Sequence, residues 1–280
     1  MHRAARFSSN PEIQSSTRQQ SATDTQLCVS FTIRDRQLPE FRYCVRRMPE
    51  PLLVTGTDTD VGKTWVSSLI LRSLTRHGHR IRPYKPVCSG GEESANGLIW
   101  NDVEQLTEAC VDRADTQTKR RVCPQTFTAA VAPNVAATLE GRTVDDALLR
   151  SGAKTWNDEC DLLLIEGAGG ILCPLSDQTR VIDLAADLQS PVLIVAANRL
   201  GVINHTLLTI QAAQNAQLPI AAVILNDVSP KPEDSSRSSN FSQLQLWLPD
   251  TRLLTCGYQG TELNDQSGNP FPVRDLWPQS

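Results

Sequence analysis

A glycine-containing segment at residues 56–64 carries the residue types that bind a nucleoside triphosphate. It reads Gly-Thr-Asp-Thr-Asp-Val-Gly-Lys-Thr, follows the apolar run 51–54 and precedes a segment with helical apolar spacing. A strand, a glycine loop and a helix start direct backbone N–H groups at one point, where the helix dipole favours a phosphate. Lys63 can reach the β- and γ-phosphates, and the Thr64 hydroxyl can bind Mg²⁺. The segment therefore predicts a phosphate-binding loop.

The loop is a variant of the common form. Five residues separate Gly56 from Gly62, one more than in the usual loop. With the usual four intervening residues before Gly62, the first position of the loop is Thr57. A chance Gly-Lys-Thr at a helix start is the alternative interpretation. The apolar run before the loop and the helical pattern after it argue against that alternative.

An acid and a lysine stand at the ends of two other apolar runs. Glu166 follows the run 161–165 and precedes the glycine-rich stretch 167–170. A carboxylate there is placed to hold Mg²⁺ or its waters, and the glycines let the backbone approach the phosphates. Lys85 lies in a Tyr-Lys-Pro segment and would add a second cation beside a transferring phosphate. Taken alone, such a lysine is more often an ordinary surface residue before a turn.

Other positions allow two interpretations each. Asp102 is a metal candidate, although an N-cap is the commoner role of Asp before a helix. Asn226 can pair with the edge of adenine or close an Asx-turn. The helix start after Gly201 offers N–H groups suited to a carboxylate, whereas His205 reads as a packed or capping side chain.

Outside these motifs the chain alternates apolar runs with amphipathic segments. This alternation predicts an α/β fold, a doubly wound, mainly parallel sheet with helices on both faces. Ligands of such sheets bind beyond the carboxyl ends of the strands, where the candidate residues stand. Strands are predicted at 51–55, 81–86, 161–165, 191–196 and 219–225, and helices at 63–76, 102–110, 179–188, 203–216 and 241–248.

The composition fits a soluble α/β protein and argues against several classes. Of 280 residues, 40% are hydrophobic and 21% are charged. The net charge of −4 provides no basic field for nucleic acid, and no apolar run approaches the roughly 18 residues of a membrane span. The eight cysteines form no Cys-x-x-Cys pair, so we expect free thiols in a reducing cytoplasm rather than a thiolate metal site.

Residues 1–50 differ from the rest of the chain. They are rich in Ser, Gln and Arg and lack sustained apolar periodicity, which predicts a disordered extension. The scarcity of acids weakly resembles a transit peptide, and a start at Met48 is the simpler alternative. Residues 51–280 are predicted to form a single domain.

Five segments of the chain resemble the dethiobiotin synthetase family, in its order and at similar separations, over about residues 51–255. They are 56–64, 84–90 (Tyr-Lys-Pro-Val-Cys-Ser-Gly), 166–170 (Glu-Gly-Ala-Gly-Gly), 200–205 (Leu-Gly-Val-Ile-Asn-His) and 226–227 (Asn-Asp). Five ordered motifs are far more specific than a phosphate loop alone. The resemblance implies a P-loop NTPase-like fold and a homodimer with its sites at the interface.

The resemblance also implies an ATP- and Mg²⁺-dependent cyclo-ligase of biotin biosynthesis. Its substrates would be 7,8-diaminononanoate, CO₂ (bicarbonate in solution) and ATP. One amine captures CO₂ as a carbamate, the carbamate oxygen attacks the γ-phosphate, and the second amine closes the ureido ring with release of phosphate. Negative charge accumulates where the carbamate meets the triphosphate. Lys63, Lys85 and Mg²⁺ would offset this charge.

Carried over residue by residue, the resemblance implies four groups of site residues. The catalytic group is Lys85, Lys63 and Thr59. The substrate-binding group is Ser89, Val202, Ile203 and Asn204, the last three reaching the substrate carboxylate from the partner subunit. The nucleotide-binding group is Asp60, Val61, Gly62, Lys63, Thr64, Trp65, Asp102, Glu166, Gly167, Ala168, Gly169, Asn226 and Asp227, with Asn226 as the adenine reader. The Mg²⁺ group is Thr64, Asp102 and Glu166.

Among the departures from the family pattern, two concern the nucleotide site. Asp60 stands where the family often has Glu, which is one methylene longer. Residues 255–260 read Thr-Cys-Gly-Tyr-Gln-Gly, where the family usually has a Gly-Glu-Ile-Pro-like segment near the nucleotide base. The second departure puts the carboxy-terminal part of the nucleotide pocket in question.

Three other functions are compatible with a phosphate loop. A partition-type ATPase switch usually carries an extra lysine near the start of the loop, and residues 56–59 have none. A nucleotide-binding paralogue without ligase activity is supported only by the altered 255–260 segment. A cobyrinic-acid amidating enzyme needs an amidotransferase domain, for which too little chain follows Asn226.

Overall fold

The computed structural model describes residues 48–95, 97–110, 115–230 and 235–277. Residues 1–47 of the extension predicted at residues 1–50 lie outside the described residues. Glu50, the last residue of that prediction, already begins the first strand. None of the helices in these ranges combines the length and the apolar composition that crossing a bilayer requires.

Strands and helices alternate along most of the chain. The strands are β1 (Glu50–Gly56), β2 (Ile81–Tyr84), β3 (Glu92–Ser94), β4 (Gly97–Ile99), β5 (Leu162–Gly170), β6 (Val192–Ala197), β7 (Ile220–Asn226) and β8 (Leu253–Cys256). The α-helices are α1 (Lys63–Arg76), α2 (Asn101–Glu108), α3 (Thr116–Val122), α4 (Pro133–Leu139), α5 (Asp146–Ser151), α6 (Val181–Asp187), α7 (Val202–Asn215) and α8 (Arg237–Trp247). Short 3₁₀ helices cover Gly152–Trp156 and Val273–Leu276.

In the described ranges the central sheet has six strands in the order β2-β5-β1-β6-β7-β8, and every neighbouring pair is parallel. Helices flank it, which confirms the predicted α/β class. The chain winds outward from β1 to β2 on one side and later to β6 on the other. Such a reversal of winding opens a crevice at the carboxyl ends of the central strands, where ligands bind.

Apolar strands buried among their neighbours form the core of the sheet. All six residues of β6 are buried, as are Leu52–Val54 of β1 and Leu162–Ile165 of β5. Each fully buried Val, Leu or Ile contributes about 1.5–3 kcal/mol through removal of its surface from water. This rigid sheet fixes the positions of the loops at its carboxyl edge.

The five predicted strands and five predicted helices all exist, with shifted ends for most of them. Strand β5 continues to Gly170 instead of ending at residue 165, because a register shift lets Gly56 pair with Gly170. Helix α8 begins at Arg237 rather than at 241. Strand β8, the β3–β4 hairpin and the helices α3, α4 and α5 were not predicted, because they are short and therefore carry little periodicity.

Candidate active site

The predicted phosphate loop joins β1 to α1 at the centre of the sheet. Gly62 precedes the helix in the left-handed region (φ 84°), and Asp60 also has a positive φ of 55°. Within the part of the chain that the structure describes, no side chain caps the first turn of α1, and no acid stands in that turn. The N–H groups of Lys63, Thr64 and Trp65 thus face the loop, as a bound phosphate requires.

The loop is tied to β7 by a buried amide. Asn226 donates from Nδ2 to the carbonyl oxygen of Val61 at 2.9 Å, and its side chain is almost fully buried. Its Oδ1 is also buried and has no hydrogen-bond partner among the described residues. Asn226 therefore holds the loop through its amide nitrogen, a role that was not predicted, while its amide oxygen remains available as an acceptor.

We expect Gly62→Ala to abolish tight nucleotide binding. A Cβ at this position would lie 2.1 Å from Nδ2 of Asn226, so the amide or the loop must move. Gly78 is a matched control, because its φ of +80° is similar but its Cβ would meet nothing within 4 Å. Both changes cost about 1–2 kcal/mol for the left-handed backbone. Calorimetric titration with ATP should show lost affinity for Gly62→Ala alone, and equal losses would contradict the packing argument.

Lys63 projects from the start of α1 back over its own loop. Its Nζ lies 3.4 Å from the carbonyl oxygen of Asp58, and the side chain is largely buried. Burial lowers the pKa of Lys63; Glu166 opposes this effect, and the ammonium of Lys85 adds to it. An anion bound at the loop would stabilise this ammonium further.

A compact charged cluster lies beside Lys63. The Nζ of Lys85 is 2.7 Å from Oδ2 of Asp102 and 2.8 Å from Oε1 of Glu166. The hydroxyl of Thr64 donates to Oδ1 of Asp102 at 2.8 Å and lies 2.9 Å from Oε1 of Glu166. Lys85 and Glu166 are buried, whereas the carboxylate of Asp102 is partly exposed.

Three elements of the fold bring this cluster together. Glu166 lies in β5 opposite Val54 of β1, and Tyr84 at the end of β2 pairs with Ile165. Lys85 follows directly, and its backbone N–H donates to Val122 at 2.8 Å. Asp102 lies in the first turn of α2 rather than at its N-cap, which is Trp100. The alternatives of a surface lysine and a capping aspartate are therefore wrong.

Interactions within the cluster shift the pKa values of Lys85 and Asp102 in the directions that favour their charged forms. Burial by itself would lower the pKa of Lys85, but Glu166 and Asp102 outweigh it and raise the pKa of this ammonium well above its ordinary value. Burial would raise the pKa of Asp102, yet Lys85 and Thr64 hold the pKa of this carboxyl below its usual range. Both groups are thus charged at neutral pH, and Lys85 cannot serve as a general base in this state.

The predicted Mg²⁺ residues fit a hard cation. Thr64, Asp102 and Glu166 supply hydroxyl and carboxylate oxygens, which Mg²⁺ prefers. Oε2 of Glu166 is buried and has no hydrogen-bond partner in the described part of the chain. A buried acceptor left in this way costs free energy unless a ligand satisfies it. The residues present are therefore suited to the metal.

A cavity of about 470 Å³ extends from the loop along the carboxyl edge of the sheet. Eight of the predicted nucleotide-binding residues line it, namely Asp60, Gly62, Lys63, Thr64, Trp65, Asp102, Asn226 and Asp227. Gln105, Val228, Tyr258 and Gln259 also line it and were not predicted. The last two belong to the 255–260 segment that departs from the family pattern, and they show that this segment still borders the cavity.

The turn that carries Tyr258 is anchored to α1. The indole nitrogen of Trp65 donates to the carbonyl oxygen of Gly260 at 3.2 Å, and the N–H of Gly260 donates to Gly257 at 2.8 Å. Tyr258 remains 43% exposed, so its ring is free to meet a ligand. The turn follows β8, an element that sequence reasoning missed, and only the aromatic residue itself was a signal.

Thr59, Ser89 and residues 167–169 were also predicted but do not line this cavity. Thr59 is exposed at the tip of the loop, where its N–H donates to Asp58 at 2.8 Å. The hydroxyl of Ser89 donates to the carbonyl oxygen of Val131 at 2.6 Å. Residues Gly167, Ala168 and Gly169 continue strand β5 beyond Glu166.

The predicted carboxylate-binding segment forms the first turn of α7. Val202 is buried, Ile203 is half-buried and Asn204 is exposed. None of the three lines the 470 Å³ cavity of their own chain. Just before them, the guanidinium of Arg199 lies 3.8 Å from Asp58 of the loop.

Comparison with known proteins agrees with the five motifs. A family model described as an AAA domain matches residues 50–253. The ATP-dependent dethiobiotin synthetase BioD of Yersinia pestis bv. Antiqua (strain Angola) is 38% identical over 229 residues, which cover 81% of this chain and 91% of that protein. The chain belongs to the dethiobiotin synthetase family.

Further members of this family match at similar levels. BioD 1 of Escherichia coli O157:H7 is 39% identical over 65% of this chain and 80% of its own length. The dethiobiotin synthetase of Rhodopirellula baltica is 38% identical over 69% of this chain and 78% of its own length. Among solved structures, the septum site-determining protein MinD of Pyrococcus horikoshii OT3, complexed with Mg-ADP, has a TM-score of 0.47 and 15% identity over 83% of this chain and 90% of that chain.

Proposed function

We propose that this chain is an ATP- and Mg²⁺-dependent cyclo-ligase that converts 7,8-diaminononanoate and CO₂ to dethiobiotin, with release of ADP and phosphate. Membership of the dethiobiotin synthetase family supports the reaction. The structural observation that most supports this reaction is a cluster directly beside the phosphate loop, formed by Lys85, Glu166, Asp102 and Thr64. Two cations and two carboxylates at one point suit a reaction in which several anions must meet.

The phosphate loop binds and orients the triphosphate. The N–H groups at the start of α1 and the ammonium of Lys63 contact the phosphates and hold the γ-phosphate in place. Thr64, Asp102 and Glu166 would hold Mg²⁺, which would supply further neutralisation of the phosphate charge. Asn226 keeps the loop in shape through its bond to Val61.

Catalysis consists mainly of positioning and charge neutralisation. One amine of the diamine forms a C–N bond to CO₂ and loses a proton, which leaves a carbamate near Thr59 and Ser89. The carbamate oxygen attacks the γ-phosphate and ADP leaves. The second amine then attacks the carbamate carbon, and phosphate leaves as the ring closes. The ammonium of Lys85 stays charged and stabilises the anions at the carbamate and phosphate oxygens.

We also propose a homodimer in which the partner's first turn of α7 completes the diamine site. Asn204 and Leu208 are exposed on this helix, and the predicted residues 202–204 do not line the cavity of their own chain. Sedimentation equilibrium measures the mass of the assembly. A monomer at the concentration of the activity assay would rule out shared sites.

The proposed ligase domain comprises residues 51–280, in a cytoplasmic enzyme with no nucleic-acid or membrane partner. Every site residue lies beyond residue 58, and the family match begins at residue 50. We therefore expect a chain that begins at Met48 to keep full turnover. Steady-state assays of both lengths test this, and a large loss in the shorter chain would contradict it.

We predict that Tyr258→Ala weakens ATP binding roughly tenfold, because stacking of an aromatic ring on a base contributes about 1–3 kcal/mol. Tyr258 and Lys63 both line the cavity. Tyr258→Phe keeps the ring and should retain the affinity. Calorimetric titration with ATP and with inorganic triphosphate distinguishes contacts to the base from contacts to the phosphates, since only ATP binding should weaken.

Phosphate release by the purified protein tests the proposed function. Release should require ATP, Mg²⁺, bicarbonate and the diamine together, and mass spectrometry should find the ureido product in the same tube. Release without the diamine would favour a partition-type ATPase switch. Nucleotide binding without any release would favour a paralogue that has lost the chemistry.

A further inference from the structure

Lys85 joins the two carboxylates of the proposed metal set. Its Nζ contacts Asp102 at 2.7 Å and Glu166 at 2.8 Å, and the hydroxyl of Thr64 lies within 2.9 Å of oxygens of both acids. All the residues that we assign to Mg²⁺ are therefore already bound to one another through a lysine and a hydroxyl. This inference rests on that assignment, which is part of the proposed function.

The charges of the cluster balance without a metal. Two carboxylates face the ammonium groups of Lys85 and Lys63, so the formal sum is zero. The side chain of Lys85 is 3% exposed and that of Glu166 is fully buried, so water screens their charges poorly. A dication added here would lie beside two ammonium groups in a poorly screened site. A triphosphate supplies the negative charge that makes the addition favourable.

We propose that Lys85 is an internal counter-ion that keeps divalent cations off Asp102 and Glu166 until the nucleotide arrives. Metal binding is thereby coupled to nucleotide binding, and Mg²⁺ enters as its nucleotide complex. Oε2 of Glu166, the buried acceptor without a partner among the described residues, is the oxygen that this complex satisfies. When the metal takes over the carboxylates, the ammonium of Lys85 is released toward the reacting anions.

Binding of Mn²⁺, followed by the electron paramagnetic resonance of the free ion, tests this proposal without any turnover. The full chain should take up Mn²⁺ weakly by itself and tightly when ATP is present, as measured against the same Mn²⁺ and ATP mixture without protein. Lys85→Met removes one positive charge beside two carboxylates, so it should bind Mn²⁺ without nucleotide about tenfold or more tightly than the parent chain. Lys119→Met is the matched control, because it removes a lysine paired with one carboxylate, Glu104, outside the site.

Lys85→Gln provides a second variant if Lys85→Met does not fold, since its amide can still donate to a carboxylate while carrying no charge. Equal Mn²⁺ affinity of the parent chain and the Lys85 variants without nucleotide would overturn the counter-ion role. So would tight Mn²⁺ binding by the parent chain alone, which is measurable even if neither variant folds. Absence of Mn²⁺ binding in the presence of ATP would instead refute the assignment of these residues to the metal, whereas the phosphate-release assay tests the proposed function separately.

Discussion

Lys85→Ala should abolish ring formation and strongly destabilise the chain. Lys85 is paired with two carboxylates, and that of Glu166 is fully buried. Removal of one partner of a buried ion pair leaves an uncompensated charge, at a cost of about 3–5 kcal/mol in the free energy of unfolding. The same change removes the cation that we assign to the carbamate and phosphate oxygens. We expect turnover to fall by about 100- to 1,000-fold or more, the size of one preorganised electrostatic contact.

Urea unfolding and a phosphate-release assay measure these two effects separately. Lys154→Ala is the control, because Lys154 lies exposed in the 3₁₀ helix Gly152–Trp156, remote from the cluster in sequence and outside the proposed machinery. Lys85→Ala/Glu166→Gln removes the uncompensated charge and should recover much of the stability without recovering turnover. Normal turnover in Lys85→Ala would refute its catalytic role. Unchanged stability would show that water reaches Glu166 despite its burial.

Lys63→Ala should lower turnover by about 100- to 1,000-fold while the fold remains intact. The contact of Lys63 with protein oxygen is long, at 3.4 Å to the carbonyl of Asp58. Burial lowers the pKa of Lys63, so the folded chain gains little from its charge. The ammonium therefore serves the bound phosphates more than the fold. We expect the free energy of unfolding to change by less than about 1 kcal/mol.

The two lysine variants distinguish a catalytic from a structural contribution. Thermal unfolding with and without ATP should show normal stability for Lys63→Ala but little stabilisation by the nucleotide. Lys85→Ala should start from a lower Tm. A loss of stability in Lys63→Ala as large as that in Lys85→Ala would contradict the assignment of Lys63 to phosphate alone.

The local patterns of the chain were sufficient for the fold class and the phosphate loop. Continuous apolar runs indicate strands buried on both faces. A glycine loop between such a run and a helix commonly forms a phosphate-binding loop. Helix α1 spans 63–76 as predicted, because its apolar spacing and the loop before it both fix its start. The short elements, including β8 and the β3–β4 hairpin, were missed because a few residues cannot show a period.

Several roles became visible only in the tertiary structure. Lys85, Asp102 and Glu166 are far apart in sequence, and no local pattern states that one ammonium contacts both acids. The bond from Asn226 to Val61 and the position of Tyr258 at the cavity likewise depend on where β7 and β8 end beside β1.

Residue types and their order along the chain thus determined which groups could bind a triphosphate. They also determined that these groups stand at the edge of a mainly parallel sheet. The pairing of charges, the burial of Glu166 and the lining of the nucleotide cavity were decided by tertiary structure. The physical reason is that the energies of charges and polar groups depend on distance and on exclusion of water, and both are set by strands and helices that meet only in the folded chain.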